Sequence, residues 1–130
     1  MTMSEQREYE TDLKSRTKAF ALRVLRLWLA LPRRDDAMVI GKQLLRCGTS
    51  VGANYRAACR SKSLKDFLNK IRICIEEADE SCYWMELLIE QGLVEQSKLN
   101  ELLNEAGQLT AILTASAITT ERNIAKQKNH

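Results

Sequence analysis

The sequence predicts an all-α protein, an antiparallel up-down four-helix bundle. Three observations lead there. Leu, Ala, Glu, Lys and Arg dominate, while aromatic residues make up 5% and proline occurs once, at Pro32, a composition that favours helix. Apolar residues recur at spacings of three and four through four successive segments, without the strict alternation of a half-buried strand. Short polar connections join those segments, as in bundles. At 130 residues the chain is long enough for a single domain, 1–130, with its own core.

The first helix is expected over about 11–31. Leu13, Thr17, Phe20, Val24, Trp28 and Leu31 mark its buried face. Pro32 ends it, because the residue before a proline is pushed out of helical geometry. The second helix, about 36–60, starts where Asp35 and Asp36 suit the positive end of a helix dipole. It carries two seams. One runs Ala37, Ile40, Leu44, Cys47, Val51, Asn54 and Ala58; the other runs Met38, Gly41, Leu45, Gly48, Gly52, Tyr55 and Cys59. The third helix, about 63–91, opens on Ser63 as N-cap with Asp66 in the capping-box position. Its heptad seam is Leu64, Leu68, Ile71, Ile75, Ala78, Cys82, Met85 and Ile89, widened by Phe67, Cys74 and Leu88. Gly92 fits a C-terminal glycine. The fourth helix, about 96–124, buries Leu99, Leu102, Ala106, Leu109, Leu113 and Ala117, and the tail NIAKQKNH is expected to fray.

Several function classes find no support. No apolar run reaches membrane-span length, and the start MTMSEQREYETD is too polar for a signal peptide, so a cytoplasmic protein is expected. The cysteines Cys47, Cys59, Cys74 and Cys82 form no CxxC pair and read as small buried hydrophobes in a reducing compartment. The one histidine is His130, the last residue, which leaves histidine catalysis and histidine metal ligation without a candidate. Glu76, Glu77, Asp79 and Glu80 lack the ExxH pairing of di-iron bundles. Ser50, Ser61 and Ser63 lie near cations, but no phosphate loop or nucleophile motif surrounds them. No enzyme, metal or cofactor is expected.

Charge is segregated along the chain. Residues 14–72 hold 15 Lys and Arg against Asp35, Asp36 and Asp66, for +12; residues 73–130 hold four against ten, for −6; residues 1–13 hold Arg7 against four acids, for −3, which returns the overall +3. Such asymmetry points to a polyanion partner or to association between complementary surfaces. The cations are ordered. Lys42, Arg46, Arg56 and Arg60 fall on one stripe of the second helix, with Thr49 and Ala53 between them. Arg16, Arg23, Arg26 and Arg33 form a matching stripe on the first. Lys62 and Lys65 flank the start of the third helix, where free N–H groups with Ser61 and Ser63 could hold a phosphate. Together these read as a surface for the nucleic-acid backbone. Glu76, Glu77 and Glu80 form an acidic edge suited to a neighbour's basic edge.

Gly41, Gly48 and Gly52 share a stripe, which predicts close approach of another helix, either within the subunit or between subunits. Each costs a helix roughly 1 kcal/mol relative to Ala. Asn54 on the apolar seam needs a partner and is expected to fix register.

The stretch from Arg46 through Phe67, continuing through IEEADESCYWMELL (75–88), resembles the four-helix bundle family. This family includes proteins encoded in intervening sequences of bacterial 23S rRNA genes and the accessory variability determinant of diversity-generating retroelements. The shared pattern is Arg46-x-x-x-Ser50, then Asn54, Arg60, Ser63, Asp66 and Phe67, and then the acidic heptad helix. Arg56-Ala57-Ala58 replaces the acidic residue and glycine that many members carry, so a role tied to that acid does not transfer. The resemblance implies a ring, typically a homopentamer, with a positively charged surface or channel. In the retroelement members it implies an accessory that binds nucleic acid and a reverse transcriptase. The expectation is therefore a non-enzymatic oligomeric bundle binding RNA or DNA through its basic stripes. The alternative is a protein-interaction scaffold whose charged faces join subunits or recruit an enzyme.

Overall fold

The computed structural model describes residues 2–129 and consists of four helices, with no strand among those residues. They are α1 (Met3–Ala30), α2 (Asp35–Cys59), α3 (Leu64–Glu90) and α4 (Gln96–Lys128). None is long and apolar enough to cross a membrane. His130 lies outside the described residues.

Helix ends follow local chemistry. α1 begins about two turns before the start expected near residue 11, because Thr2 and Glu5 form a reciprocal capping box: Glu5 N donates to Thr2 Oγ1 at 3.1 Å, and Thr2 N donates to Glu5 Oε2 at 2.7 Å. Leu31, ahead of Pro32, takes the extended conformation with φ −67° and ψ 145°. The Ser63 box is only half formed. Its hydroxyl accepts from Asp66 N, while the Asp66 carboxylate turns to Lys70 at 2.7 Å. α3 ends in a full Schellman turn. Gly92 has φ +74°, its N–H donates to Ile89 O, and Leu93 N–H donates back to Leu88 O. The NIAKQKNH tail continues α4 to Lys128 instead of ending it near 124.

The helices share one core. Leu13, Phe20 and Val24 of α1 meet Leu44, Val51 and Tyr55 of α2, Ile71, Met85 and Leu88 of α3, and Leu99, Leu109 and Leu113 of α4; each of these is at most 2% exposed. The buried hydroxyls of Thr17, Ser81 and Thr120 each bond a carbonyl of the preceding turn, so their burial strands no polar group. Ser81 takes a core position, while Cys82, placed on the α3 seam from sequence, is only partly buried.

The glycine stripe faces α1 of the same chain. A Cβ on Gly41 would meet Leu31 and Trp28, one on Gly48 would meet Val24, and one on Gly52 would meet Thr17. The close approach expected from sequence is therefore an intrasubunit contact. α1 leans on α2 through this stripe and touches α4 only lightly.

Candidate nucleic-acid interface

The α2 cations do not act as one set. Lys42, Arg56 and Arg60 are exposed and make no ion pair among the described residues. Arg46 instead clamps α2 to α3. Its Nη2 donates to Glu80 Oε1 at 2.8 Å and its Nη1 to Glu77 Oε2 at 3.3 Å. Trp84 Nε1 donates to the same Glu80 oxygen at 3.2 Å. Burial alone would raise the Glu80 carboxyl, but hydrogen bonds from Arg46 and Trp84 outweigh it and hold the group below its ordinary value. Within the chain, Glu77 and Glu80 of the expected acidic edge meet Arg46. Glu76 stays exposed. Cys47 Sγ lies within 4.8 Å of the Glu77 and Glu80 carboxylates. The Arg46 guanidinium already supplies positive charge to those carboxylates. Ser81 Oγ lies 3.3 Å from the Cys47 sulfur, and burial pushes that thiol up.

The α1 stripe belongs to a different edge. Arg16 donates to Glu105 through Nη2 at 2.6 Å and Nε at 3.2 Å, and to Gln108 Oε1 at 3.1 Å. Arg23 pairs loosely with Glu101 at 3.6 Å. Arg26 lines a groove between α1 and α4. Arg33 lies over the Trp28 ring, 5.6 Å from its centroid, a cation–π contact. The two arginine stripes do not merge into the single surface that their spacing suggested. One is directed at α4, the other outward from α2.

At the α2–α3 corner, Arg60, Lys62 and Lys65 are exposed within six positions of chain. The serines there are occupied differently than expected. Ser63 Oγ is engaged as N-cap, and Ser61 Oγ is buried. Lys62 borders a cavity of about 840 Å³ that Tyr9, Cys59, Phe67 and Thr120 also line. Asn54 does not reach another helix: its Nδ2 donates to Ser50 O of its own helix at 2.8 Å. Its expected role in register is therefore not met within the chain. Tyr55, 2% exposed, is a core residue, and burial drives its phenol well above the ordinary range.

The sequence reading missed the acids of α4. Glu101 and Glu105 sit one turn apart, whereas Arg16 and Arg23 sit two turns apart on α1. The two spacings differ, so no matched periodicity announced the pairing. The sequence reading also missed the apolar groove lined by Arg26 and Lys98, where no motif announces the site.

These features define a four-helix bundle with a residual cationic face on α2. The profile of the 23S rRNA-intervening sequence protein family matches residues 10–115, and the chain belongs to that family. A solved structure, described as a protein with unknown function from the S23 ribosomal protein family of Bacteroides thetaiotaomicron, is similar to it. The two are 34% identical with a TM-score of 0.76, and the match covers 81% of this chain and 97% of that one. No curated protein matches the chain.

Proposed function

We propose that this chain is a non-enzymatic, cytoplasmic bundle that binds the backbone of RNA or DNA through Lys42, Arg56, Arg60, Lys62 and Lys65. The observation that carries the reading is that these five cations stay exposed and unpaired among the described residues while their neighbour Arg46 is neutralised. Unpaired cations on a rigid helix release counterions when phosphates approach, which drives sequence-independent binding. Up-down antiparallel pairing is supported by opposing contact order: Gly41, Gly48 and Gly52 meet Leu31, Val24 and Thr17 in turn.

The test is fluorescence anisotropy with a generic RNA at several salt concentrations. Affinity should fall steeply as salt rises. Arg56→Glu/Arg60→Glu/Lys62→Glu should lower the salt slope by about 3 for a duplex while helicity by circular dichroism is unchanged. Salt-indifferent binding, or full binding by the triple variant, would reject the reading.

A second reading, a self-assembling scaffold, is favoured by Leu22, Leu25 and Leu29. They lie at helical spacing on α1 and are 43%, 39% and 69% exposed. An apolar stripe of this kind suits an interface between copies, in keeping with the ring, typically a homopentamer, that the family resemblance implies. A reverse transcriptase is a further candidate partner on the same ground. Light scattering decides: a monomer mass at micromolar concentration would remove the scaffold reading and leave the nucleic-acid reading standing.

A further inference from the structure

The light contact between α1 and α4 leaves a groove of about 590 Å³ at the end of the bundle that carries the α3–α4 turn. That size lies within the range of small-molecule sites. Its floor is aliphatic: Leu27 and Leu31 of α1, Leu93 and Val94 of the turn, Leu99 and Leu102 of α4. Its rim carries the unpaired cations Arg26 and Lys98 against Glu95, while Arg23 beside them is paired with Glu101.

The turn side of the floor is held by backbone. The N–H groups of Leu93 and Val94 both donate to Leu88 O, at 2.9 and 3.3 Å, and Gly92 supplies the positive φ that lets the chain fold back. The rim has a defined register. Arg23 is level with Glu101, and at 1.5 Å rise per residue on each helix one further turn brings Arg26 level with Lys98. Neither of these makes an ion pair among the described residues. Two like charges therefore face each other across an apolar floor, where an anion between them would be attracted by both.

We infer that this groove binds a single-chain anionic amphiphile of the medium-chain carboxylate class. The carboxylate sits between Arg26 and Lys98, and the hydrocarbon tail lies along Leu27, Leu31, Leu93 and Val94. A cationic head meets repulsion from the rim, and a short free carboxylate gains nothing from the floor. The site is separate from the α2 face, so its failure would leave the nucleic-acid reading untouched.

The experiment is isothermal titration of the full chain with octanoate, decanoate and decyltrimethylammonium, each below its micelle concentration. Affinity should rise about fourfold per methylene, so about fifteenfold from octanoate to decanoate, and the cationic surfactant should not bind. Arg26→Glu/Lys98→Glu should abolish decanoate binding with helicity intact, since both side chains are exposed. Arg56→Glu/Arg60→Glu should bind decanoate as the parent does. Equal binding of the cationic surfactant, retained binding in the Arg26/Lys98 variant, or no decanoate binding would each overturn the inference.

Discussion

Replacing Gly48 with alanine places a methyl carbon 2.8 Å from Val24 Cγ2, 3.0 Å from its Cγ1 and 3.3 Å from its Cβ. Ordinary carbon contacts begin near 3.5 Å, so α1 has to withdraw by roughly 0.7 Å. Val24 cannot turn aside. A β-branched side chain in a helix is held in one rotamer, and this one is 1% exposed in a packed core. Overpacking of this kind costs about 1–3 kcal/mol. Helix propensity opposes it, favouring Ala over Gly by about 0.8–1.0 kcal/mol. The expected net is a loss of about 1 kcal/mol. Sign is more telling than size. Gly107, inside α4, has nothing within 4 Å of an ideal Cβ. Gly107→Ala should therefore show the propensity gain alone, about 0.8–1.0 kcal/mol of stabilisation. In a Val24→Ala background most of the clash is gone, and Gly48→Ala should change from destabilising to stabilising. Urea midpoints at one fixed protein concentration would measure all five proteins. If Gly48→Ala stabilises the parent as much as Gly107→Ala does, the close approach of α1 to α2 at this glycine is refuted.

Other perturbations test the turn, the clamp and the thiols. Gly92→Ala forces a side chain into positive φ and should cost about 1–2 kcal/mol, read from the same urea midpoints. The Glu80 carboxyl is held low in the folded state, so its contribution is present above the ordinary glutamate value of about 4.3. It is lost as pH falls through the lower folded value. Acid titration of Trp84 fluorescence should report that step, and Glu80→Gln should remove it. Burial raises all four thiols, Cys74 to about 12. A thiol reagent near about pH 8, where an ordinary thiol is partly ionised, should label Cys59 and Cys82 slowly. Cys47 and Cys74 should react only on unfolding. Fast labelling of Cys74 in the native protein would contradict its place in the core.

The fold was legible because its signals are periodic and local. The seams of α2 and α3 and the Pro32 stop each act within a few residues of themselves. The start of α1 was missed because residues 3–8 carry no buried side chain, and the apolar pattern outweighed the Thr2-x-x-Glu5 signature that caps it. The glycine stripe announced a close approach but not its partner, since spacing on one helix does not say which neighbour faces it. The candidate site was the least legible part. A stripe of arginines looks alike in sequence whether each faces solvent or an acid on a distant helix. Arg46 and Arg56 share a stripe, yet one is a clamp and the other is free.

That difference bears on what charge segregation means in a bundle. Among the described residues, every ion pair that crosses between helices joins a cation from the basic stretch 14–72 to an acid from the acidic stretch 73–130: Arg16 to Glu105, Arg23 to Glu101, Arg46 to Glu77 and Glu80, and Arg72 to Glu121. Blocks of opposite sign in the sequence become facing edges once α1 and α2 lie beside α4 and α3. The segregation therefore first serves the chain's own helix pairing. As half-exposed pairs these are each worth on the order of 1 kcal/mol or less, so they set which edges meet more than they set stability. Only the cations left over after that pairing can report on a partner. Besides the scattered exposed cations of α1 and α4, such as Lys14, Lys18, Arg122 and Lys126, they cluster on the outer face of α2 and at the α2–α3 corner, and Arg26 and Lys98 border the α1–α4 groove; it is the separation of these places that allows phosphate binding and amphiphile binding to be tested independently.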